Sequence, residues 1–283
     1  MTDVLRPRAP ARPSAQPAAR SLLLTVLGEW VLDLDAPVWT VALLRGLTAL
    51  GVREKAARQA IARSAADGWL ERDRVGRQVR WRLSDATRGL LRRGAERIYS
   101  FGGVTTGWDR RWLVVMVSVP EERRDDRHRL RTRLAWAGFG SLGQGAWITP
   151  HLDREREARD VLAALAPPVE ATSFVAHHGR IGDERTLVAG AWGGLEALER
   201  HYRDFVATFA GADPSSQEEA FVAQTRMVHE WRTFPFLDPG LPEEFLPPGW
   251  KGLEARALFQ RRHREWAGAA RAWFRAGNPE RPP

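Results

Sequence analysis

The sequence predicts a multidomain α+β protein: helices and a short ribbon first, a small α/β unit next, and an all-α remainder. Three observations predict it. Over residues 21–103, apolar positions at helical spacing give way to strict apolar–charged alternation. Over 108–186, uncharged β-branched runs alternate with charged helical stretches. From Leu187 on, strand signals mostly vanish and long periodic segments take over.

Composition sets the outer bounds. The chain has 283 residues, 43% hydrophobic content and 13 Trp, enough for two or three packed domains. It has no Cys, which excludes a disulfide framework and any thiolate metal site. No apolar run approaches the roughly 20 residues that span a bilayer. Asp3 and the lack of an unbroken apolar start argue against a secretory signal, so a cytoplasmic protein with no membrane partner is expected. Residues 1–100 hold 18 Lys and Arg against 10 Asp and Glu, and the remainder 25 against 25, so the whole net charge of +8 lies in the first part. Only Lys55 and Lys251 are Lys. That dominance of Arg reflects coding composition, and the high pI carries no argument by itself.

Residues 1–20 mix Pro, Ala and Arg without periodicity and read as a disordered basic tail. A helix capped by Ser21 then carries Leu22, Leu23, Val26, Leu27 and Trp30 on one face. A second helix carries Trp39, Leu43, Leu44, Leu47 and Leu50, and Gly51 stops it. A third, about Arg53–Asp67, buries Ala56, Ala57, Ala60 and Ile61 and turns Arg53, Lys55, Arg58, Gln59 and Arg63 outward. Gly68 ends it. Trp69–Arg74 and Arg77–Leu83 alternate around Val75-Gly76 as a hairpin with one wet face. Arg72, Arg74, Arg80 and Arg82 share a parity, which places four guanidinium groups on one face, with Val79, Trp81 and Leu83 opposite. A helix from Ser84 to about Tyr99 and Gly102-Gly103 close this part.

Small apolar residues behind a basic helix, followed by an Arg-studded ribbon, are how a winged helix-turn-helix presents itself to duplex DNA. Arg58, Gln59 and Arg63 are candidates for base contacts, since Arg pairs bidentately with guanine and Gln with adenine. Glu54 and Lys55, near the helix N-terminus, are also within reach of the groove, and the plainer alternative is that Arg53, Lys55 or Arg63 touches only phosphate or water. On the ribbon, Arg72, Arg74, Arg77, Arg80 and Arg82 are expected to hold phosphates and set register.

In the middle unit, Trp112–Val119 reads as a buried strand, Asp126–Ala137 as a helix, Gly145–His151 as a strand, Asp153–Ala166 as a helix and Ser173–His177 as a strand. That β-α-β-α-β order suits a small ferredoxin-like unit. The glycine-rich stretch Gly138–Gly145 reads as a turn and lacks the Lys of a phosphate cradle. Helices near Leu195–Phe209, Glu218–Arg232 and Leu253–Phe274 complete the chain over 187–283.

No catalytic, metal or cofactor site is expected. His151, His177 and His178 lack ligand spacing, and adjacent histidines on a strand point to opposite faces. Glu121, Glu122, Asp125 and Asp126 are interleaved with Arg123, Arg124 and Arg127 and read as a solvated loop. Ser118, Ser141 and Ser173 lack a hydrolase frame. Arg226, His229 and Arg232, three apart along one helical edge beside Trp231, Phe234 and Phe236, suit an anionic aromatic ligand such as a coenzyme A thioester. The alternative is a helix end packed by aromatics with its charges solvated.

Four stretches together resemble the PaaX-like family of phenylacetate-degradation repressors: SLLLTVLGEWV, the VREKAARQAIARSAADGWLERDRVGRQVRWRLS segment, the block from WDRRWLVVMVSVP to GAWITPH, and VHEWRTFPFLDPGLPEEFLPPGW. They run in the family's order from about residue 20 to 275. The resemblance implies a winged-helix domain (21–103), a middle domain similar to a small CRISPR adaptation nuclease (108–186) and a helical domain (187–283). It implies a homodimer that represses a catabolic operon at a double-stranded operator and lets go on binding an aryl-CoA thioester such as phenylacetyl-CoA. DNA reading then falls to Arg58, Gln59 and Arg63, and effector binding to His229 and Arg232. The nuclease likeness does not imply activity, because the first middle strand ends as Ser118-Val119-Pro120 with no carboxylate for a metal. Two rival expectations are a metal-dependent nuclease built on the middle domain and a DNA-binding protein without an effector.

Overall fold

The computed structural model describes residues 18–34, 36–102 and 107–279. The chain divides into two compact units that do not follow the linear order. One holds the residues up to Phe101 together with 205–233 and those from Ala255 on; the other holds 102–204 and 234–254. The helical stretch expected to stand alone over 187–283 thus contributes to both. The basic tail lies outside the described residues as far as residue 17.

In the first unit, α1 (Ala19–Val26) runs into a π-helical turn (Leu27–Val31). Ser21 does not cap α1, which already begins at Ala19; its hydroxyl instead accepts from Arg232 Nη2 at 2.7 Å. A two-residue strand β1 (Val38–Trp39) precedes α2 (Thr40–Ala49), and α3 (Glu54–Ala66) follows. Both α2 and α3 end in the same way. Val52 N–H donates to the Leu47 carbonyl and Gly51 N–H to Thr48, while Trp69 N–H donates to Ser64 and Gly68 N–H to Ala65. That double closure needs a left-handed residue, and Gly51 (φ 89°) and Gly68 (φ 74°) supply it. These two stops fix where α3 begins and where the ribbon leaves it.

The ribbon is β2 (Leu70–Val75) and β3 (Gln78–Leu83), turning at Gly76-Arg77, and the sheet order is β1-β3-β2. Next comes α4 (Asp85–Ser100), capped by Ser84, whose Oγ accepts from Thr87 N–H. The end of α8 (Leu195–Phe209), α9 (Gln217–Trp231) and α11 (Gly252–Ala276) complete the unit. The core is shared between chain ends: Phe221 of α9 lies 5.3 Å from the Trp30 ring and 4.6 Å from Trp273. A Cβ on Gly46 of α2 would stand 3.1 Å from Phe221, so glycine lets α9 approach α2 closely.

The second unit is a four-stranded antiparallel sheet, β4 (Arg111–Ser118), β5 (Gly140–Gly143), β6 (Ala146–Thr149) and β7 (Glu170–His177), ordered β5-β6-β4-β7. With α5 (Arg124–Trp136) and α6 (Glu155–Ala163) the order is β-α-β-β-α-β, one strand more than expected. The extra strand is β5, from the glycine-rich stretch read as a turn. Glycine hides it from a propensity argument, yet packing requires glycine there: a Cβ on Gly140 would meet Trp192 at 2.6 Å, and one on Gly145 would meet the Val117 carbonyl at 2.2 Å. Leu113, Val115 and Val117 pack with Leu130 and Leu134 of α5 on one face. Trp112 and Ile148 pack with Val188 of α7 (Glu184–Ala191) and Leu241 on the other. Beyond that cover the second face is bare at Met116 and at Phe174 of the edge strand β7, both half exposed, and Val175 is half exposed on the first face, opposite Leu113. The Pro-rich FPFLDPGLPEEFLPPGW stretch forms the short α10 (Phe234–Leu237) and a 3-10 turn at Glu243–Phe245.

Candidate nucleic-acid interface

On α3, Ala57, Ala60, Ile61 and Ser64 are buried, and Arg53, Glu54, Lys55, Arg58, Gln59 and Arg63 are exposed. Ala56, expected inside, is only half-buried. Arg58 leans back on its own helix and donates twice to Glu54 Oε1, at 2.9 and 2.7 Å. Both side chains of that pair are about three-fifths exposed, and such a surface pair is worth only about 0.3–0.5 kcal/mol, so it does not hold Arg58 against a better partner. Arg53, Lys55, Gln59 and Arg63 have no side-chain partner among the described residues.

The ribbon departs from expectation. Its register pairs Leu70 with Leu83, Glu71 with Arg82, Arg72 with Trp81, Asp73 with Arg80 and Arg74 with Val79. Directly opposed residues share a face. Arg72 and Arg74 therefore lie with Trp81, Val79 and Leu83, whereas Arg80 and Arg82 lie on the other face with Asp73 and Glu71. The four guanidinium groups do not share a face. Parity holds within one strand, but across a two-residue turn opposed residues always differ in parity, so four arginines of like parity on two strands divide between the faces. Arg80 Nε donates to Asp73 Oδ2 at 2.6 Å, and its guanidinium lies 5.8 Å from the Trp39 ring. Arg74 Nε donates to the Gly76 carbonyl at 3.2 Å. Arg72, Arg77 and Arg82 have no side-chain partner among the described residues.

Between α2, α3 and the ribbon runs a groove of about 460 Å³, walled by Trp39, Val41, Ile61 and Val79 with Arg58, Arg72 and Arg77 along it. Three of the ten basic or amide candidates thus converge on one concavity. Trp39, Thr40 and Val41 were not among the expected contacts, although Val41 stands half exposed at the start of α2. An apolar residue in the first turn of a helix just after Val38-Trp39 was the available signal.

The second expected cluster does not form one edge. Arg226 is exposed, while His229 and Arg232 turn inward against α1. His229 Nδ1 and Thr25 Oγ1 are 2.8 Å apart, and Arg232 Nη2 donates to Ser21 Oγ. Burial and the neighbouring guanidinium of Arg232 hold the His229 imidazole down to about 3, so it is neutral. Burial brings Arg232 down to about 10, which leaves it charged. One turn away in the π-helical segment, the Glu29 carboxylate accepts from Gln224 Nε2 at 2.6 Å and His263 Nε2 at 2.8 Å, and from the Tyr99 hydroxyl. Burial raises Glu29, but the His263, Tyr99 and Gln224 bonds outweigh it and keep the carboxyl below its ordinary range.

In the second unit, Asp126 is not in a solvated loop: it is buried in the first turn of α5 and accepts from Arg123 and Arg129, each at 2.7 Å. Among the described residues no three His, Asp or Glu side chains stand together as metal ligands. His151 Nε2 lies 3.1 Å from the Pro239 carbonyl and 2.9 Å from Gly240, which fastens the DPG turn. No helix among the described residues is long and apolar enough to cross a membrane.

Three family models match in succession: the PaaX-like protein over 18–87, the PaaX protein central Cas2-like domain over 105–188 and the PaaX-like protein C-terminal domain over 192–276. The chain belongs to the PaaX-like family. The transcriptional repressor PaaX of Escherichia coli K12 is 28% identical over 252 residues, which span 84% of this chain and 77% of that protein. Among solved structures, the uncharacterized protein Rv0674 of Mycobacterium tuberculosis superposes with a TM-score of 0.59 at 24% identity. The match covers 92% of this PaaX-like chain and all of that one, and it shows a shared fold.

Proposed function

We propose that this PaaX-like chain is a DNA-binding transcriptional repressor of a catabolic operon, acting as a homodimer. In this reading α1 to α4 with the β1-β3-β2 sheet form a winged helix-turn-helix, α3 enters the major groove, and the ribbon is the wing. One observation carries it: Arg58 of α3, held only by an exposed pair with Glu54, and the free Arg72 and Arg77 border the same groove, in the part of the chain that holds all the excess positive charge. The E. coli relative's role as a repressor supports the direction of control. The order β-α-β-β-α-β with sheet order β5-β6-β4-β7 supports a ferredoxin-like second unit.

A dimer follows from recognition, since one winged helix buries little surface for specific affinity. The exposed edge strand β7, with Phe174 and Val175, offers a self-pairing surface. Release by an aryl-CoA thioester rests on the family resemblance; Arg226 faces solvent where phosphates could meet it, and His229 and Arg232 connect α9 to α1. The test is fluorescence anisotropy with the gene's own upstream region against a scrambled duplex at low salt, followed by titration with CoA thioesters. Binding that prefers the upstream region, and that one thioester releases, is the expected result. No binding at low ionic strength overturns the reading.

A further inference from the structure

The last described residues of the chain are tied to the reading half rather than trailing from α11. Asn278 Oδ1 accepts the Trp39 backbone N–H at 2.8 Å, and Asn278 Nδ2 donates to the Pro37 carbonyl at 3.4 Å. The Pro279 carbonyl accepts the Trp39 indole Nε1–H at 2.8 Å. Trp39 belongs to β1, the outer strand of its sheet, paired on the inner side only, with Trp81 opposite Val38 and Arg80 opposite Trp39. Trp39 is buried, and a buried backbone donor without a partner is costly. Here no strand supplies the partner, and the Asn278 side chain does. Further back on α11, the carbonyl of Trp273 accepts from Arg45 Nη1 at 3.2 Å, and the Arg45 guanidinium lies 3.8 Å from the Trp273 ring. Consecutive elements β1 and α2 are thus both held by the end of α11.

What is held bears on the groove. Trp39, Thr40 and Val41 form the wall of the groove that also carries Arg58, Arg72 and Arg77. Thr40 Oγ1 donates to the Val79 carbonyl at 2.8 Å and accepts from Trp81 Nε1 at 2.9 Å, which links residues 39–40 directly to the ribbon. We infer that Asn278 and Pro279 form a clasp that sets the spacing between α3 and the ribbon, which makes Asn278 a positioning residue for duplex DNA. The inference rests on the DNA-reading role proposed above.

The test compares full-length wild type with Asn278→Ala and Asn278→Asp by hydrogen–deuterium exchange and by anisotropy with the upstream DNA. In Asn278→Ala, exchange over 37–41 and 78–83 should quicken while α9 and α11 keep their protection. Affinity should fall about tenfold, the worth of one ordinary hydrogen bond. Asn278→Asp keeps the acceptor for the Trp39 N–H and should bind within about threefold of wild type. Unchanged exchange and affinity in Asn278→Ala overturn the clasp. So does loss of protection throughout α9 and α11 that Asn278→Asp does not repair, since that marks general support rather than positioning. A wild type that holds no DNA sinks the DNA reading instead, and the exchange comparison still decides whether the clasp steadies the ribbon.

Discussion

Asp73 and Arg80 face each other across the ribbon and close an ion pair of 2.6 Å, which spends one of its arginines inside the protein. Arg72 and Arg77 have no such partner among the described residues. The two kinds of arginine should therefore separate in a salt titration. Arg72→Ala or Arg77→Ala should lower affinity for every duplex alike and reduce the slope of log K against log salt by about 0.9 for each phosphate left without its guanidinium. Arg80→Ala should leave that slope nearly unchanged. Its cost should appear as about 0.2–1 kcal/mol of stability, the worth of a half-exposed ion pair. An Arg80 variant with the larger slope change would reverse the assignment of faces.

On α3 the expectation is selective rather than uniform. Gln59→Ala should weaken binding by about 1–3 kcal/mol at one base pair and little elsewhere. A panel of single-base operator variants reads this out, and an equal loss across the panel reassigns Gln59 to the backbone. Glu54→Ala, which frees Arg58, should strengthen binding to scrambled duplex.

His229 makes stability depend on pH. Its folded pKa, about 3, lies below the ordinary histidine value of 6.5. A depressed value means that stability is fully present above 6.5 and is lost as pH falls towards 3. The slope is at most about 1.4 kcal/mol per pH unit. Urea unfolding at pH 7 and pH 5.5 should thus show up to about 1.4 kcal/mol of loss in the wild type. In His229→Gln, which keeps a polar partner for Thr25 but cannot take up a proton, the difference should largely disappear. Equal pH dependence in both proteins would place the acid sensitivity elsewhere.

Phe221 joins the two ends of the chain, fully buried against Gly46, Trp30 and Trp273. Phe221→Ala should cost about 3–5 kcal/mol, as large-to-small core changes of this size do. Because the residue sits in the core of the first unit, DNA binding and the helical signal of that unit should melt together. A variant that loses the signal of α9 but keeps DNA affinity would show that the reading half stands without it.

The helices were legible because their cause is local. Leu22, Leu23, Val26 and Leu27 recur at helical spacing, Gly51 and Gly68 stop α2 and α3, and the outward set from Arg53 to Arg63 follows from the same periodicity. The ribbon was legible as a ribbon, and its faces follow from turn length rather than from parity: a two-residue turn sets even-numbered positions opposite odd-numbered ones, so Arg72 and Arg74 part from Arg80 and Arg82. Strand β5 was hidden because Gly140 and Gly143 answer to the bulk of Trp192 and to a tight reversal, not to strand propensity. The inward turn of His229 and Arg232 depends on α1 packing against α9, two hundred residues away in sequence, and no periodicity in α9 itself reports that.

The approach of Gly46 to Phe221 also bears on biosynthesis. A ribosome that has delivered the basic helix and its ribbon has not yet delivered the aromatic ring that packs on Gly46 and Trp30, and the clasp on Trp39 emerges later still. Chains that stop before α9 accordingly leave Trp30 and Gly46 without that cover, and should fall to proteolysis sooner than the full-length protein.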